Sequence, residues 1–126
     1  MTPFGEKVRQ LREERDILMK QMAADLGVSS AYLSALEHGH RGRPGSGFIQ
    51  QICGYFNLMW GEAEEIKRLA ALSHPRITVN TAGLSPQATE LANVLAEKIG
   101  DLDADTLQWI LDEIKSRQSP LKGPTH

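Results

Sequence analysis

The stretch that decides the fold runs from Met19 to His38 and reads MKQMAADLGVSSAYLSALEH. Ala23 is small, as a close crossing of two helices requires, and Gly27 can take the positive φ that ends the first helix. Ser29 is a good N-cap for the second helix. The apolar seam between the two helices would consist of Leu26, Val28, Leu33 and Leu36. This layout predicts a helix-turn-helix and therefore an interaction with DNA.

Four strings carry a resemblance to a known family. They are LREER at Leu11–Arg15, MAADLGVS at Met22–Ser29, and YLS at Tyr32–Ser34 followed by EHG at Glu37–Gly39. In this arrangement the segment 4–72 resembles the Xre/Cro-type family of bacterial and phage repressors. The resemblance implies an all-α chain that begins with a five-helix DNA-binding domain, in which the second helix of the motif reads the major groove.

Two features depart from the family pattern. Members usually have Ser or Thr capping the first motif helix and then a Gln that grips a phosphate, whereas this chain has Leu18 and Met19. Neither side chain can make that hydrogen bond, so we expect the contact to be lost or moved to Lys20 or Gln21. The loop after the second motif helix, residues 39–47, is one residue longer than the common family turn and rich in glycine, which is consistent with a mobile arm.

Helical patterning continues on both sides of the motif. Pro3 suits a helix start, and Asn57 can take the left-handed conformation that ends a helix carrying Phe48 and Phe56. A further helix is predicted from about Trp60, with acidic residues in its first turns. We therefore assign residues 1–73 to the helix-turn-helix domain.

Residues 74–84 form either a linker or a short strand. Ile77 and Val79 are β-branched, and Pro75 and Gly83 bound the segment. So short a strand could pair only with another edge, and the same segment of a second subunit is the best candidate.

Two helices are predicted in residues 85–117. Ser85 followed by Pro86 forms an N-cap and first-turn pair, and Asp103 can cap the second helix. Apolar residues recur at helical spacing in both helices: Leu84, Ala88, Leu91, Leu95 and Ile99 in the first, and Leu107, Ile110, Leu111 and Ile114 in the second. These patterns predict a C-terminal helical hairpin, followed by a disordered tail over residues 118–126.

The apolar stripes of this hairpin exceed what two short helices can bury against each other. Either a second copy covers the surplus, which we favour, or the hairpin completes the core of the monomer. Trp109 supports an interface, because aromatic side chains are enriched at interface centres. The predicted dimerisation residues are Ile77, Val79, Leu91, Leu95, Leu107, Trp109, Ile110 and Ile114.

The predicted contacts with double-stranded DNA fall on the motif and the loop that follows it. They are Lys20, Gln21, Ser29, Ser30, Ala31, Tyr32, Ser34, Ala35, His38, His40, Arg41 and Arg43. This set contains few of the Arg, Asn and Gln side chains that bind bases bidentately, so readout would depend on hydroxyls, methyl groups and Tyr32. Arg41 and Arg43 would contact phosphates, with contact to a neighbouring groove as the alternative.

The charge distribution favours a local cationic patch over a broadly basic surface. Residues 1–59 carry seven Lys and Arg against six Asp and Glu, and the remainder carries seven against ten, which gives the net charge of −2. Lys20, Arg41 and Arg43 would form the patch.

Other functions find little support in the sequence. His38, His40 and His74 lack ligand partners at suitable spacing, so we predict no metal site and no cofactor. Cys53 is the only cysteine and lies among apolar residues. No catalytic constellation is present, so an enzyme is not expected, and the absence of a signal-like start or an apolar run of about 18 residues favours the cytoplasm. The competing interpretation is an antitoxin or anti-activator whose main role is binding a protein partner.

Overall fold

The computed structural model describes residues 1–42 and 44–117, and this part of the chain is helical without strands. Its helices are α1 (Pro3–Glu14), α2 (Met19–Leu26), α3 (Ser30–Glu37), α4 (Ser46–Tyr55), α5 (Trp60–Ala71), α6 (Pro86–Lys98) and α7 (Ala104–Ser116), with a 3-10 turn at Ile99–Asp101. The predicted all-α fold with an N-terminal helix-turn-helix is confirmed. The predicted disordered tail, 118–126, lies outside the described residues, as does Arg43.

The chain divides into two compact units, the first spanning Met1–Thr78 and the second beginning at Val79. In the first unit, α1 to α5 enclose a single apolar core. Each helix contributes to it: Phe4, Val8 and Leu11 from α1; Met22 and Ala23 from α2; Leu33 and Leu36 from α3; Ile49 and Ile52 from α4, with Phe56 at its end; and Ile66 and Ala70 from α5.

Four successive helices of this unit end in the same way. Asp16, Gly27, Gly39 and Asn57 each have a positive φ, between 54° and 82°. At each end, the left-handed residue donates its N–H to the carbonyl three residues back, and the next residue donates to the carbonyl five residues back, at 2.9 to 3.3 Å. This pair of bonds is the Schellman motif, which satisfies the last carbonyls of a helix. The predictions for Gly27 and Asn57 are confirmed, whereas Asp16 was not foreseen as a helix terminator.

A buried ion pair connects α1 to α3 inside the core. The guanidinium of Arg12 binds both carboxylate oxygens of Glu37, and the side chain of Glu37 is fully buried. The Nη1 of Arg12 also lies 3.9 Å from the Sδ of Met22, which adds a contact with α2. Since an unpaired charge in the core would be costly, the pair fixes how these three helices meet.

The backbone of Glu37 is also held by the N-terminus of the chain. Thr2 donates both its N–H and its hydroxyl to the carbonyl of Glu37, each at 3.1 Å. Gly5 lies so close that an added Cβ would be 2.1 Å from the same carbonyl oxygen. Only glycine permits this approach of α1 to the end of α3.

The far end of α5 closes onto α1 through Ser73. The buried Ser73 Oγ accepts a hydrogen bond from the N–H of Phe4 at 2.9 Å and donates one to the carbonyl of Leu69 at 2.6 Å. One hydroxyl thereby satisfies a first-turn donor of α1 and a last-turn acceptor of α5.

The second unit is built differently, because none of its described residues is buried. Ser85 Oγ accepts from the N–H of Ala88 and Asp103 Oδ1 accepts from the N–H of Thr106, so the two predicted N-caps are confirmed. The hydrogen bonds from the side chain and then the backbone of Thr106 lower the pKa of Asp103. The strand considered for residues 74–84 does not form within the chain.

Replacing Glu37 by glutamine should lower the free energy of unfolding by about 3–5 kcal/mol, because the guanidinium of Arg12 is left without a counter-charge in the core. Chemical denaturation followed by circular dichroism measures the change. Glu13→Gln is the matched control: its pair with Arg9 is exposed, so a loss under about 1 kcal/mol is expected. Equal losses for the two variants would contradict the role assigned to the buried pair.

Alanine substitutions at two glycines should have opposite effects. A Cβ at either Gly27 or Gly54 would meet nothing within 4 Å, but only Gly27 has a positive φ. Gly27→Ala should therefore destabilise the chain by about 1–2 kcal/mol, whereas Gly54→Ala, within α4, should stabilise it by about 0.5–1 kcal/mol. Thermal unfolding distinguishes the two, and a shift of the same sign in both would refute the conformational explanation.

Candidate nucleic-acid interface

The orientation of α3 is set by the turn that precedes it and by its two buried leucines. Gly27 ends α2 in the left-handed conformation, and Ser29 Oγ accepts a hydrogen bond from the N–H of Tyr32 at 3.0 Å to cap α3. Leu33 and Leu36 are buried against α1 and α2. The opposite side of α3 therefore faces solvent.

The predicted DNA contacts lie on that solvent-facing side. Ser29, Ser30, Ala31 and His38 are exposed, and Tyr32, Ser34 and Ala35 are half-buried. Lys20 and Gln21 are exposed in the first turn of α2, and His40 and Arg41 are exposed in the loop after α3. The predicted residue Arg43 lies outside the described part of the chain. The exposed surface of α3 is thus a row of small side chains, with imidazole and guanidinium groups at and beyond its C-terminal end, and Lys20 stands in the first turn of α2.

The start of α2 has no side-chain cap. Leu18 occupies the N-cap position, makes no capping hydrogen bond and is 71% exposed. The geometry agrees with the expected loss of the hydroxyl cap. First-turn N–H groups without a capping side chain form a site that suits an anion such as phosphate, and Lys20 stands in that turn.

The end of α3 directs the following loop back towards the helix. Gly39 and His40 complete the Schellman bonds to α3, and His38 Nδ1 lies 2.9 Å from the carbonyl of Ser34. The Cζ of Arg41 then lies 5.3 Å from the ring centroid of Tyr32. Sequence reasoning placed both residues at the DNA surface but missed their contact, because nine positions separate them and no periodicity links them.

A second tie that the sequence did not reveal connects α2 to α4. The hydroxyl of Tyr55 donates to Asp25 Oδ2 at 2.7 Å. Burial, and then this hydrogen bond to a carboxylate, raise the pKa of Tyr55 to about 12. The tie adds a polar contact between α2 and α4 to the apolar core that the two helices share.

The alternative chemistries considered from the sequence gain no supporting geometry. The rings of His38 and His40 lie 6.1 Å apart, and no group of three metal-ligating side chains occurs in residues 1–42 and 44–117. Cys53 packs against the core, and burial raises the pKa of its thiol. None of the helices in these ranges has the length and apolar character needed to cross a membrane.

A capped, solvent-facing α3 held across α2 through a glycine turn defines a helix-turn-helix protein that binds DNA. A family model described as a helix-turn-helix domain matches residues 5–60. The HTH-type transcriptional repressor RghR of Bacillus subtilis (strain 168) is 31% identical over an alignment of 133 positions, gaps included, that covers 94% of this chain and 98% of the relative. The chain therefore belongs to the Xre-type helix-turn-helix family and is a DNA-binding transcriptional regulator.

A second relative matches over a shorter span. The uncharacterized HTH-type transcriptional regulator RghRB of the same organism is 39% identical over an alignment of 64 positions, gaps included. The alignment covers 47% of this chain and 46% of that protein. The match thus extends over about half of each protein. No solved structure matches.

Proposed function

We propose that this regulator is a dimeric, sequence-specific repressor that acts in the cytoplasm by binding a palindromic operator. The observation that carries the proposal is the similarity to a protein named a transcriptional repressor over 94% of the chain. A span of that extent must include most of α6 and α7 as well as the helix-turn-helix.

In this proposal, α3 lies in the major groove and α2 crosses the DNA backbone. The exposed hydroxyl of Ser30 can donate to or accept from a base edge, and the methyl groups of Ala31 and Ala35 fit against thymine methyls. Because these side chains are short, the backbone of α3 has to approach the base pairs closely. Phosphate contacts on both sides of the helix would hold it there.

Those phosphate contacts are assigned to both ends of the motif. Lys20 and Gln21 lie in the uncapped first turn of α2, and Arg41 lies beyond the C-terminus of α3. Arg43 is assigned to the same backbone from the sequence alone. A small number of cations implies moderate non-specific affinity, so discrimination would depend on contacts at the bases and on DNA shape.

The C-terminal unit is proposed as the dimerisation element. Val79, Leu91, Ile114 and Trp109 in this unit are between 53% and 63% exposed, and Ile77, which precedes the unit, is 70% exposed. Leu95, Leu107 and Ile110 are only half-buried. Two 13-residue helices without a core are marginal in water, and a second copy of the same unit would bury their apolar faces. A two-fold dimer would match a palindromic site.

Selection of bound sequences from a random duplex library at near-physiological salt tests the operator. We expect enrichment of a palindrome whose half-sites lie about 10 base pairs apart, centre to centre. Enrichment of a single half-site would contradict dimeric recognition. A folded protein that enriches no sequence would favour the alternative, an antitoxin or anti-activator whose main role is binding a protein partner.

Trp109→Glu should convert the dimer to a monomer, because a charge would be placed among the apolar side chains of the interface. Sedimentation velocity of the full chain measures the change. Gln108→Glu, on the neighbouring exposed position, is the control and should remain dimeric. Circular dichroism of both variants verifies that α1 to α5 stay folded. A wild-type chain that sediments as a monomer would refute the assignment.

A further inference from the structure

The ring of Tyr32 contacts two other side chains at the end of α3. The Cζ of Arg41 lies 5.3 Å from its centroid, inside the range of a cation–π interaction. Phe48 approaches from α4 with its centroid at 6.1 Å and its plane at 78°, an edge-to-face contact. Tyr32 is therefore held by an aromatic neighbour and in turn holds a cation.

The loop that carries Arg41 is fixed at its base. Gly39 has a φ of 82°, and a Cβ added there would lie 3.0 Å from Thr2 Cγ2 and 3.4 Å from Pro75 Cβ. His40 donates its N–H to the carbonyl of Ala35 at 2.9 Å. Gly42, also with a positive φ, donates to the carbonyl of Gly39 at 3.3 Å. The backbone before Arg41 is thus tied to α3, and the backbone after it is tied to Gly39.

A long arginine side chain loses rotamer freedom when it binds a phosphate. Stacking on a ring in the free protein already restricts the side chain, so the entropy cost of binding is smaller. The ring of Tyr32 supplies such a surface. A side chain whose ring is occupied by a guanidinium and by Phe48 is poorly placed to read a base itself. The arrangement gives Tyr32 an indirect part in binding.

We propose that Tyr32 is a positioning residue, whose ring holds the Arg41 guanidinium at the C-terminal end of α3 so that it meets a DNA phosphate. The inference rests on the proposed function, in which α3 enters the major groove. It assigns the phosphate contact to Arg41 and makes the hydroxyl of Tyr32 dispensable.

A double-mutant cycle on the full chain tests the proposal, with the duplex recovered by selection as the probe and the affinity measured over a series of salt concentrations. Arg41→Ala should make the negative slope of log K against log salt shallower by about one per subunit. Tyr32→Leu should weaken binding several-fold and should also make the slope shallower. The double variant should bind no more weakly than Arg41→Ala alone, since both changes remove one contact.

Tyr32→Phe is the control that separates the ring from the hydroxyl, and it should bind like the wild type. A second readout needs no DNA: the ring current of Tyr32 should shift the δ protons of Arg41 upfield in the nuclear magnetic resonance spectrum, in the wild type and Tyr32→Phe but not in Tyr32→Leu. This spectrum also reports whether each variant is folded.

Four results would overturn the inference. Additive losses in the double variant, or a Tyr32→Phe variant as weak as Tyr32→Leu, would show that Tyr32 contacts DNA directly. An unchanged salt slope in Arg41→Ala would show that Arg41 does not contact a phosphate, although the proposed DNA binding would still stand. A wild-type chain that binds no duplex would overturn the proposed function together with this inference.

Discussion

The N-terminal unit depends on the buried contact of Glu37 with Arg12 and on the close approach of Gly5 to the same residue. Glu37 is the last residue of α3, and both its carboxylate, through Arg12, and its carbonyl, through Thr2, tie the end of α3 to α1 and its N-cap. Burying two charges is costly in itself, so the pair adds little net stability, whereas removal of one partner leaves the other charge uncompensated in the core. It excludes packings of α3 on α1 that would separate the two side chains.

Sequence patterns predicted the features that are local along the chain. The glycine turn at Gly27, the cap at Ser29 and the left-handed Asn57 each depend on a few neighbouring residues, and each occurs in the structure. Spacing also indicated that Leu33 and Leu36 turn inwards. These are the determinants that make a helix-turn-helix recognisable in a single sequence.

The contacts that were missed join residues far apart in the sequence. Arg12 and Glu37 stood in the strings that carried the family resemblance, but nothing in either string indicates that they meet. The same holds for Tyr55 with Asp25 and for Arg41 on Tyr32. Pairing of polar side chains across helices depends on how the helices cross, and periodicity fixes only which face turns inwards.

The restraints on α3 lie at its two ends and along its inner side, whereas the exposed side chain of Ser30 forms no hydrogen bond with residues 1–42 or 44–117, and the exposed side chain of Ala31 is a methyl group. The part that supports the helix and the part that faces a partner are therefore separable. Substitutions at these outward positions would cost little folding free energy. With α3 in the major groove, as proposed, such a scaffold can acquire a new target sequence by substitution at a few surface positions while its interior stays unchanged.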